Sequence, residues 1–574
     1  MECSQRAIEQ VVHPTAAFPH NPDESPAADS LRNHARQLPW EHSLLNPKNR
    51  VDSLELLPDP LWRIDGCAGL GTQYYALPLF MSQVPPMRMD VFIPGNQPAH
   101  IREQLDLDVA FHTKDAKRLS RLAITRHIIR ALQYWTTFEF PDLQSFETFY
   151  RRVPFGTRIV FENLSLDRRE IRVLVGHAHD LEMKLLTRHN LESLWGTKLD
   201  LLQEVDFYDV HVVSILHDSV CIVRIHGQLY IFKALVSDAN KYLYHELKNL
   251  YTLEPHPNII ARPIHIVRKT LRFGTKKAIV GFTTFYHEKG SLRDVLPQLR
   301  IHDQLRRSEQ VKWSIQLAQA LHHLRTSSQT YYPDLRLDNI VLSAQSDVVM
   351  VDFEQRGVWC EFASPEVNAI EYIRLIAGDE KIPQAVTDFY EGRLEDLVPS
   401  HGALDSAQYA NPEHGYNVSW IALSPREQEA AEVYMLGRVL WCIFEGVSGP
   451  QKAAVWQSYR WESDLEFPRY DRTPPEMRDL IDRCTRGRRA PLSSVIVRRQ
   501  SQLAVRDLDD GGQTVEGVRA VAQRFWRSEL DAAESFLDMR KAQKEAGTWN
   551  DNYYDRPTIQ EVLAGLAAFE EQSR

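Results

Sequence analysis

The sequence has no two cysteines close enough to grip a metal together. Its six cysteines (Cys3, Cys67, Cys221, Cys360, Cys442, Cys484) are scattered through 574 residues with no Cys-x-x-Cys among them. That spacing argues against a thiolate zinc site and a disulfide framework, and it suits a reducing compartment. No run of 18 apolar residues occurs, so no helical membrane span is expected, and the first residues lack the apolar core of a signal peptide. Surplus positive charge is also missing. The chain carries 77 acidic and 67 basic side chains, a formal net charge of −10, which favours solubility and argues against nucleic acid as a partner of the whole chain. An intracellular, cytoplasmic protein is expected, with a nuclear fraction allowed.

What is present is ordinary globular material, 43% hydrophobic and 25% charged, long enough for two to four structural units. Residues 1–55, rich in Pro, His, Asn and Ser with little apolar periodicity, read as a disordered tail. Residues 56–204 read as an accessory α/β region. Leu119, Leu122, Ile128, Ile129, Leu132 and Trp135 recur at helical spacing between Asp115 and Thr137. Arg158–Phe161 and Ile171–Val175 look like strands, and Leu181–Trp195 like one helix. No chemical constellation is found there.

From Val210 the pattern becomes informative. Three strands are expected at Val210–Leu216, Val220–Ile225 and Gln228–Leu235. In the third, alternation puts Lys233 on the face that carries Leu229, Ile231 and Leu235. A lysine on an apolar face needs a partner. The next helix offers Glu246, on the same side as Leu243, Leu247 and Leu250. Pairing between Lys233 and Glu246 accounts for both. Further on, Tyr332-Pro333-Asp334-Leu335-Arg336-Leu337-Asp338-Asn339 is followed by Val349-Met350-Val351-Asp352-Phe353-Glu354. An acid, an amide five residues later and a second acid after an apolar run suit phosphoryl transfer from a metal-bound nucleotide. The first acid can orient a hydroxyl, and the amide and second acid are hard oxygen ligands for Mg²⁺. Taken alone, the segment could equally be a polar turn between two buried strands.

In the order Lys233, Glu246, His256-Pro257-Asn258-Ile259, Gly290-Ser291-Leu292, Asp334/Asn339, Asp352, Ser364-Pro365-Glu366 and Arg556-Pro557-Thr558, the sequence resembles the protein kinase family, in particular its divergent fungal-type members. The resemblance spans roughly residues 210–566. It implies an α+β, bilobal fold, with a small antiparallel β lobe carrying one helix (205–286) and a large helical lobe (287–574). Insertions fall near 368–423 and 486–549. It also implies ATP and Mg²⁺ as cofactors and a protein substrate, Ser/Thr rather than Tyr. Asp334 would orient the acceptor hydroxyl and Arg336 steady the transferred phosphoryl. Lys233, held by Glu246, would meet the nucleotide phosphates, and Asn339 and Asp352 would bind the metal. Ile231, Thr284, Phe285, Tyr286, His287 and Val341 would surround the adenine. Arg556 is expected near Glu366.

Several positions depart from the family pattern. No glycine lies between Leu216 and Cys221, where kinases use a flexible phosphate-covering turn. Ile231 replaces a small residue, Glu354 replaces the glycine of Asp-Phe-Gly, and Glu432 replaces the aspartate that opens a buried helix. Pro333 removes the arginine that would answer an activation-loop phosphate. A pseudokinase scaffold and a small-molecule kinase therefore stand as alternatives. The second insertion opens with Arg486, Arg488, Arg489, Arg498 and Arg499, which reads as a solvated basic face or a docking surface (486–499) for an acidic partner. Ser501, after Arg498-Arg499-Gln500, resembles a site for a basophilic kinase.

Overall fold

The computed structural model describes residues 10–19 and 57–573, except 58, 69–70, 82–88, 96, 111–118, 218, 235–239, 272–275, 407, 451–464, 500–501 and 509–512. Ser501 and most of the expected tail lie outside the described residues. The chain is a mixed α+β structure with two main sheets and many helices.

The first sheet has five strands in sequential order: β1 (Trp62–Ala68), β2 (Gln73–Pro78), β3 (Met89–Phe92), β4 (Arg158–Phe161) and β5 (Val173–Gly176). Helix Ala123–Glu139 contributes Ile124, Ile128, Leu132 and Trp135 to the adjoining core, and Trp135, Phe140 and Phe146 pack edge to face. The stretch expected as one helix over Leu181–Trp195 is instead two, His179–Lys184 and Arg188–Trp195. The break has a local cause. Thr187 and Asn190 form a capping box that starts a new helix, and reciprocal capping of free N–H groups favours a restart at that point.

The second sheet has six strands in the order β6-β10-β11-β9-β8-β7. They are β6 (Gln203–Asp206), β7 (His211–His217), β8 (Val220–Ile225), β9 (Gln228–Lys233), β10 (His265–Thr270) and β11 (Lys277–Phe285). The division drawn between residues 204 and 205 cuts through β6, which pairs parallel with β10 and so belongs to this sheet. The two sheets meet where Arg63 reaches the Val213 carbonyl and Asp65 accepts the Ile215 N–H. Helix Asn240–Thr252 lies against the second sheet, and its Tyr244 hydroxyl donates to the Ile279 carbonyl at 2.9 Å. Gly281 is required here. A Cβ on it would stand 2.4 Å from the Lys233 carbonyl oxygen and 2.6 Å from the Phe232 ring. Its absence lets β9 and β11 close up at Lys233.

The remaining chain is largely helical. Helices Arg307–Thr326 and Pro425–Glu445 pack together, and the small ladder β12 (Ile340–Leu342) with β13 (Val348–Met350) rests on the first of them. Residues 368–423 start inside helix Pro365–Ala377 and continue through Gln384–Leu397. Residues 486–549 form a hairpin, β14 (Ile496–Arg499) with β15 (Gln502–Val505), and the long helix Val515–Glu545.

One expectation needs correction. Gln10–Pro19 is not an unstructured tail. Val11 and Phe18 are buried against helix Val515–Glu545, Trp526 donates to the Val11 carbonyl at 2.8 Å, and the Arg527 guanidinium covers the Phe18 ring. In the arginine run, Arg486, Arg488 and Arg489 stay partly exposed while pairing with Asp555, Asp482 and Glu529. No helix among the described residues is long and apolar enough to cross a membrane.

Candidate functional site

Lys233 ends β9 and is 8% exposed. Its ammonium lies 2.6 Å from Glu246, 2.6 Å from Asp352 and 3.0 Å from Glu354. The pairing of Lys233 with Glu246, inferred from two apolar periodicities, is therefore present. Glu354 also pairs with Arg356 at 2.6 Å, so two cations face the three carboxylates. Burial alone would lower the lysine's pKa, but Asp352, Glu246 and Glu354 together raise it well above its ordinary value. Burial pushes Glu246 upward, Asp352 and Glu354 add to that, and Lys233 pulls against it. Burial would also raise Asp352, but Lys233 outweighs it and holds that carboxyl below its ordinary range. Asp352 thus remains the anion of the cluster that a cation would meet.

The backbone around Asp352 is shaped for this. Asp352 takes a left-handed conformation, φ 69°, which short polar side chains tolerate better than most. Glu246 uses its second oxygen to accept the Phe353 N–H at 3.0 Å, tying the helix to the Asp352 segment. Gln355, also at positive φ, donates to the Tyr331 carbonyl at 2.8 Å and meets His245 at 3.0 Å.

A second cluster adjoins the first. Asn339 donates from Nδ2 to the Asp334 carboxylate (2.9 Å) and to its carbonyl (3.0 Å), which leaves the amide oxygen as the atom able to face a cation. Arg336 lies 3.2 Å from Asp334, and its guanidinium covers the Trp359 ring at 4.8 Å. Burial raises the Asp334 carboxyl to about 6; Arg336 opposes the shift and the charge of Asp352 adds to it. The clusters are joined through the backbone, where Val351 donates to the Asn339 carbonyl at 2.9 Å. Tyr332 packs on Phe353 with ring centroids 5.0 Å apart, and its hydroxyl donates to the Val351 carbonyl.

Glu432 bears on this site through Tyr332. Fully buried, it accepts the Tyr332 N–H at 2.8 Å and pairs with Arg325 at 2.9 Å, anchoring the segment before Asp334 from helix Pro425–Glu445. The sequence marked it only as a substituted position. A carboxylate on a stripe of otherwise apolar helix residues was the available signal. At Glu354 the sequence shows only a replaced glycine after Asp-Phe, and the contact with Lys233 arises from the fold.

The remaining candidates line the approach from β11. Ile231 and Thr284 are cross-strand partners, as are Tyr230 and Phe285. Phe285 is exposed, while Tyr286 and His287 are half-buried in the link that follows. Val341 bridges to Ser291, just after Gly290. Asn258 fixes the ladder by donating to the Val348 carbonyl at 2.8 Å. Oxygen ligands for a cation are available: Glu246, Asp352 and Glu354 offer carboxylate oxygens within 4.8 Å of one another. Chemically, the arrangement provides a buried cation, an acidic cluster with a partly open edge, and a separate carboxylate held by an amide and a guanidinium. In comparison with known proteins, no family model matches the chain and no curated protein is significantly similar to it.

Proposed function

We propose that the chain is an ATP- and Mg²⁺-dependent phosphotransferase of the protein-kinase type, acting on a protein hydroxyl, Ser/Thr rather than Tyr. The observation that carries this reading is the convergence of Lys233, Glu246 and Asp352 beside Asp334 and Asn339, five residues from four separate segments. The sequence resemblance, in its ordered motifs, supports it independently. A bilobal arrangement goes with this reading. The small lobe would hold the second sheet with helix Asn240–Thr252, and the large lobe would begin near residue 287. So does a cytoplasmic location.

Asp334 meets the acceptor hydroxyl and takes its proton, a positioned general base worth roughly 10²–10⁴ in rate. Arg336, now paired with Asp334, turns to the transferred phosphoryl. Lys233 meets the nucleotide phosphates while Glu246 keeps it in place. Asn339 and Asp352 would hold the Mg²⁺, whose hard-oxygen preference fits an amide oxygen and a carboxylate and whose charge would neutralise the phosphates. Ile231, Thr284, Phe285, Tyr286, His287 and Val341 line the nucleotide side.

A specific observation favours a second reading, a nucleotide-independent pseudokinase scaffold. Glu354 stands 3.0 Å from Lys233, a carboxylate where phosphate would come, and no glycine lies between Leu216 and Cys221 to ease a close approach. Thermal unfolding with ATP, with and without Mg²⁺, separates the two. A nucleotide at a hundredfold excess over its Kd stabilises the fold by about 2.7 kcal/mol. A Mg²⁺-dependent shift supports the phosphotransferase, and no shift in either condition supports the scaffold.

A further inference from the structure

Helix Asn240–Thr252, which carries Glu246, is covered on two sides. Leu243, Leu247 and Leu250 are buried in the core, and Tyr244 bonds to β11 through Ile279. A second stripe, Lys241, His245 and Lys248, recurs at i, i+4 and i+7. Such a polar stripe ordinarily faces water. Here Lys241 is 5% exposed and His245 2%. Polar groups buried in this way need a cover that answers them.

The cover is the end of the insertion near 368–423. Residues 408–417 lie along this stripe in no helix or strand of their own. Lys248 donates to Asn411 Oδ1 at 2.6 Å, and Asn411 donates in turn to the Leu194 carbonyl at 2.9 Å. The Tyr416 ring meets Tyr242 and His245 edge to face, with centroids 5.1 and 5.5 Å apart, and the Lys241 ammonium lies 5.2 Å from its centre. Gly415 has a left-handed backbone, φ 76°. A Cβ on it would stand 2.9 Å from His245 Nε2 and 3.0 Å from Gln355 Oε1, so glycine is what lets this segment close on the helix.

The same residues reach both halves of the candidate site. The Tyr416 N–H donates to the Gln355 carbonyl at 3.3 Å, and Asn417 Nδ2 donates to the Gly357 carbonyl at 2.7 Å. The Tyr331 hydroxyl donates to the His414 carbonyl at 2.7 Å. One piece of chain therefore ties together the helix of Glu246, the stretch after Asp352 and the stretch before Asp334.

We propose that residues 408–417 are a strap that sets the position of helix Asn240–Thr252, and with it the reach of Glu246 to Lys233. Tyr416 and Asn411 are its positioning residues. The consequence for nucleotide rests on the phosphotransferase reading, whereas the hold on the helix does not. When the helix moves, Lys233 keeps only Asp352 and Glu354, and its ammonium is no longer fixed for a phosphate.

The test compares the full chain with Tyr416→Ala, Tyr416→Phe and Asn411→Gly, each with and without Glu246→Gln. Tyr416→Phe keeps the ring. Asn411→Gly removes the amide and suits the left-handed backbone at that position, φ 53°. Amide hydrogen exchange over residues 240–252 is expected to quicken about tenfold in Tyr416→Ala, less in Asn411→Gly and not in Tyr416→Phe, with β10 and β11 unchanged. Mg²⁺–ATP affinity, by calorimetry, should fall about tenfold in Tyr416→Ala, but by under about twofold when Glu246→Gln is already present. Should Tyr416→Ala not fold, Asn411→Gly carries both measurements. Unchanged exchange over residues 240–252, or an equal loss of affinity with and without Glu246→Gln, would overturn the proposal. Quickened exchange in a chain whose parent binds no nucleotide would support the strap and overturn the phosphotransferase reading instead.

Discussion

Two buried ionic clusters in this molecule differ in how completely they are closed. Arg556 is fully buried and meets Glu366 with both terminal nitrogens. It also donates to the Ala430 and Arg486 carbonyls, each at 3.0 Å, and lies between the rings of Tyr434 and Tyr554. One positive charge faces one negative charge, and every guanidinium nitrogen has an acceptor. The Lys233 cluster sets Lys233 and Arg356 against three carboxylates, and the side chain of Asp352 is 31% exposed. The first cluster is complete in itself. The second has an ionised carboxylate at an open edge, which suits it to receive a cation with its anionic ligand. A closed clamp supports the fold, whereas an open one is suited to a ligand.

Breaking the closed clamp should cost the most. Arg556→Ala strands Glu366 in the interior and is expected to destabilise the fold by about 3–5 kcal/mol, measured by urea unfolding. A loss under about 1 kcal/mol would mean that the pair is dispensable.

A smaller effect comes from His245, beside Glu246. Burial lowers its pKa to about 4; Lys248 adds to this and Gln355 opposes it. The folded state then binds fewer protons than the unfolded state between the ordinary histidine value and about 4. The contribution of this group is complete above pH 6.5 and is lost as pH falls through that window. From pH 7 to 5 the parent should lose about 2 kcal/mol more stability than His245→Gln. Parallel pH profiles for the two chains would remove His245 from the account.

The smallest effect sharpens the open clamp. Glu354→Gly frees Lys233 from one carboxylate at 3.0 Å. Competition with a charged hydrogen bond of about 1.5 kcal/mol predicts roughly tenfold tighter Mg²⁺–nucleotide binding by calorimetry. Weaker binding would instead identify Glu354 as a metal ligand.

The open clamp was legible in the sequence because each charge interrupts an apolar pattern. Lys233 stands on a strand face and Glu246 on a helix stripe, and two misplaced charges on neighbouring elements explain each other. The meeting of Arg556 with Glu366 was legible through resemblance. Other features depend on partners far along the chain. Gln10–Phe18 is short, and nothing local shows that Trp526 and Arg527 will cover it. The arginines after Cys484 look basic until Asp482, Glu529 and Asp555 come beside them. Glu354 could be seen to replace a glycine, but its approach to Lys233 follows from the positive φ values at Asp352 and Gln355, which the residue types do not announce.

The division of labour between Asp334 and Asp352 is the most direct test of the central claim. Phosphate transfer from ATP and nucleotide affinity are measured, with Mg²⁺, for the parent chain, Asp334→Asn and Asp352→Asn. Asp334→Asn should lose roughly 10²–10⁴ in transfer while nucleotide binding stays nearly intact, because its carboxylate serves the acceptor hydroxyl. Asp352→Asn should weaken Mg²⁺-dependent binding, because a hard cation loses an anionic oxygen. Unchanged transfer by Asp334→Asn, or equal loss of nucleotide binding in both variants, would contradict the account.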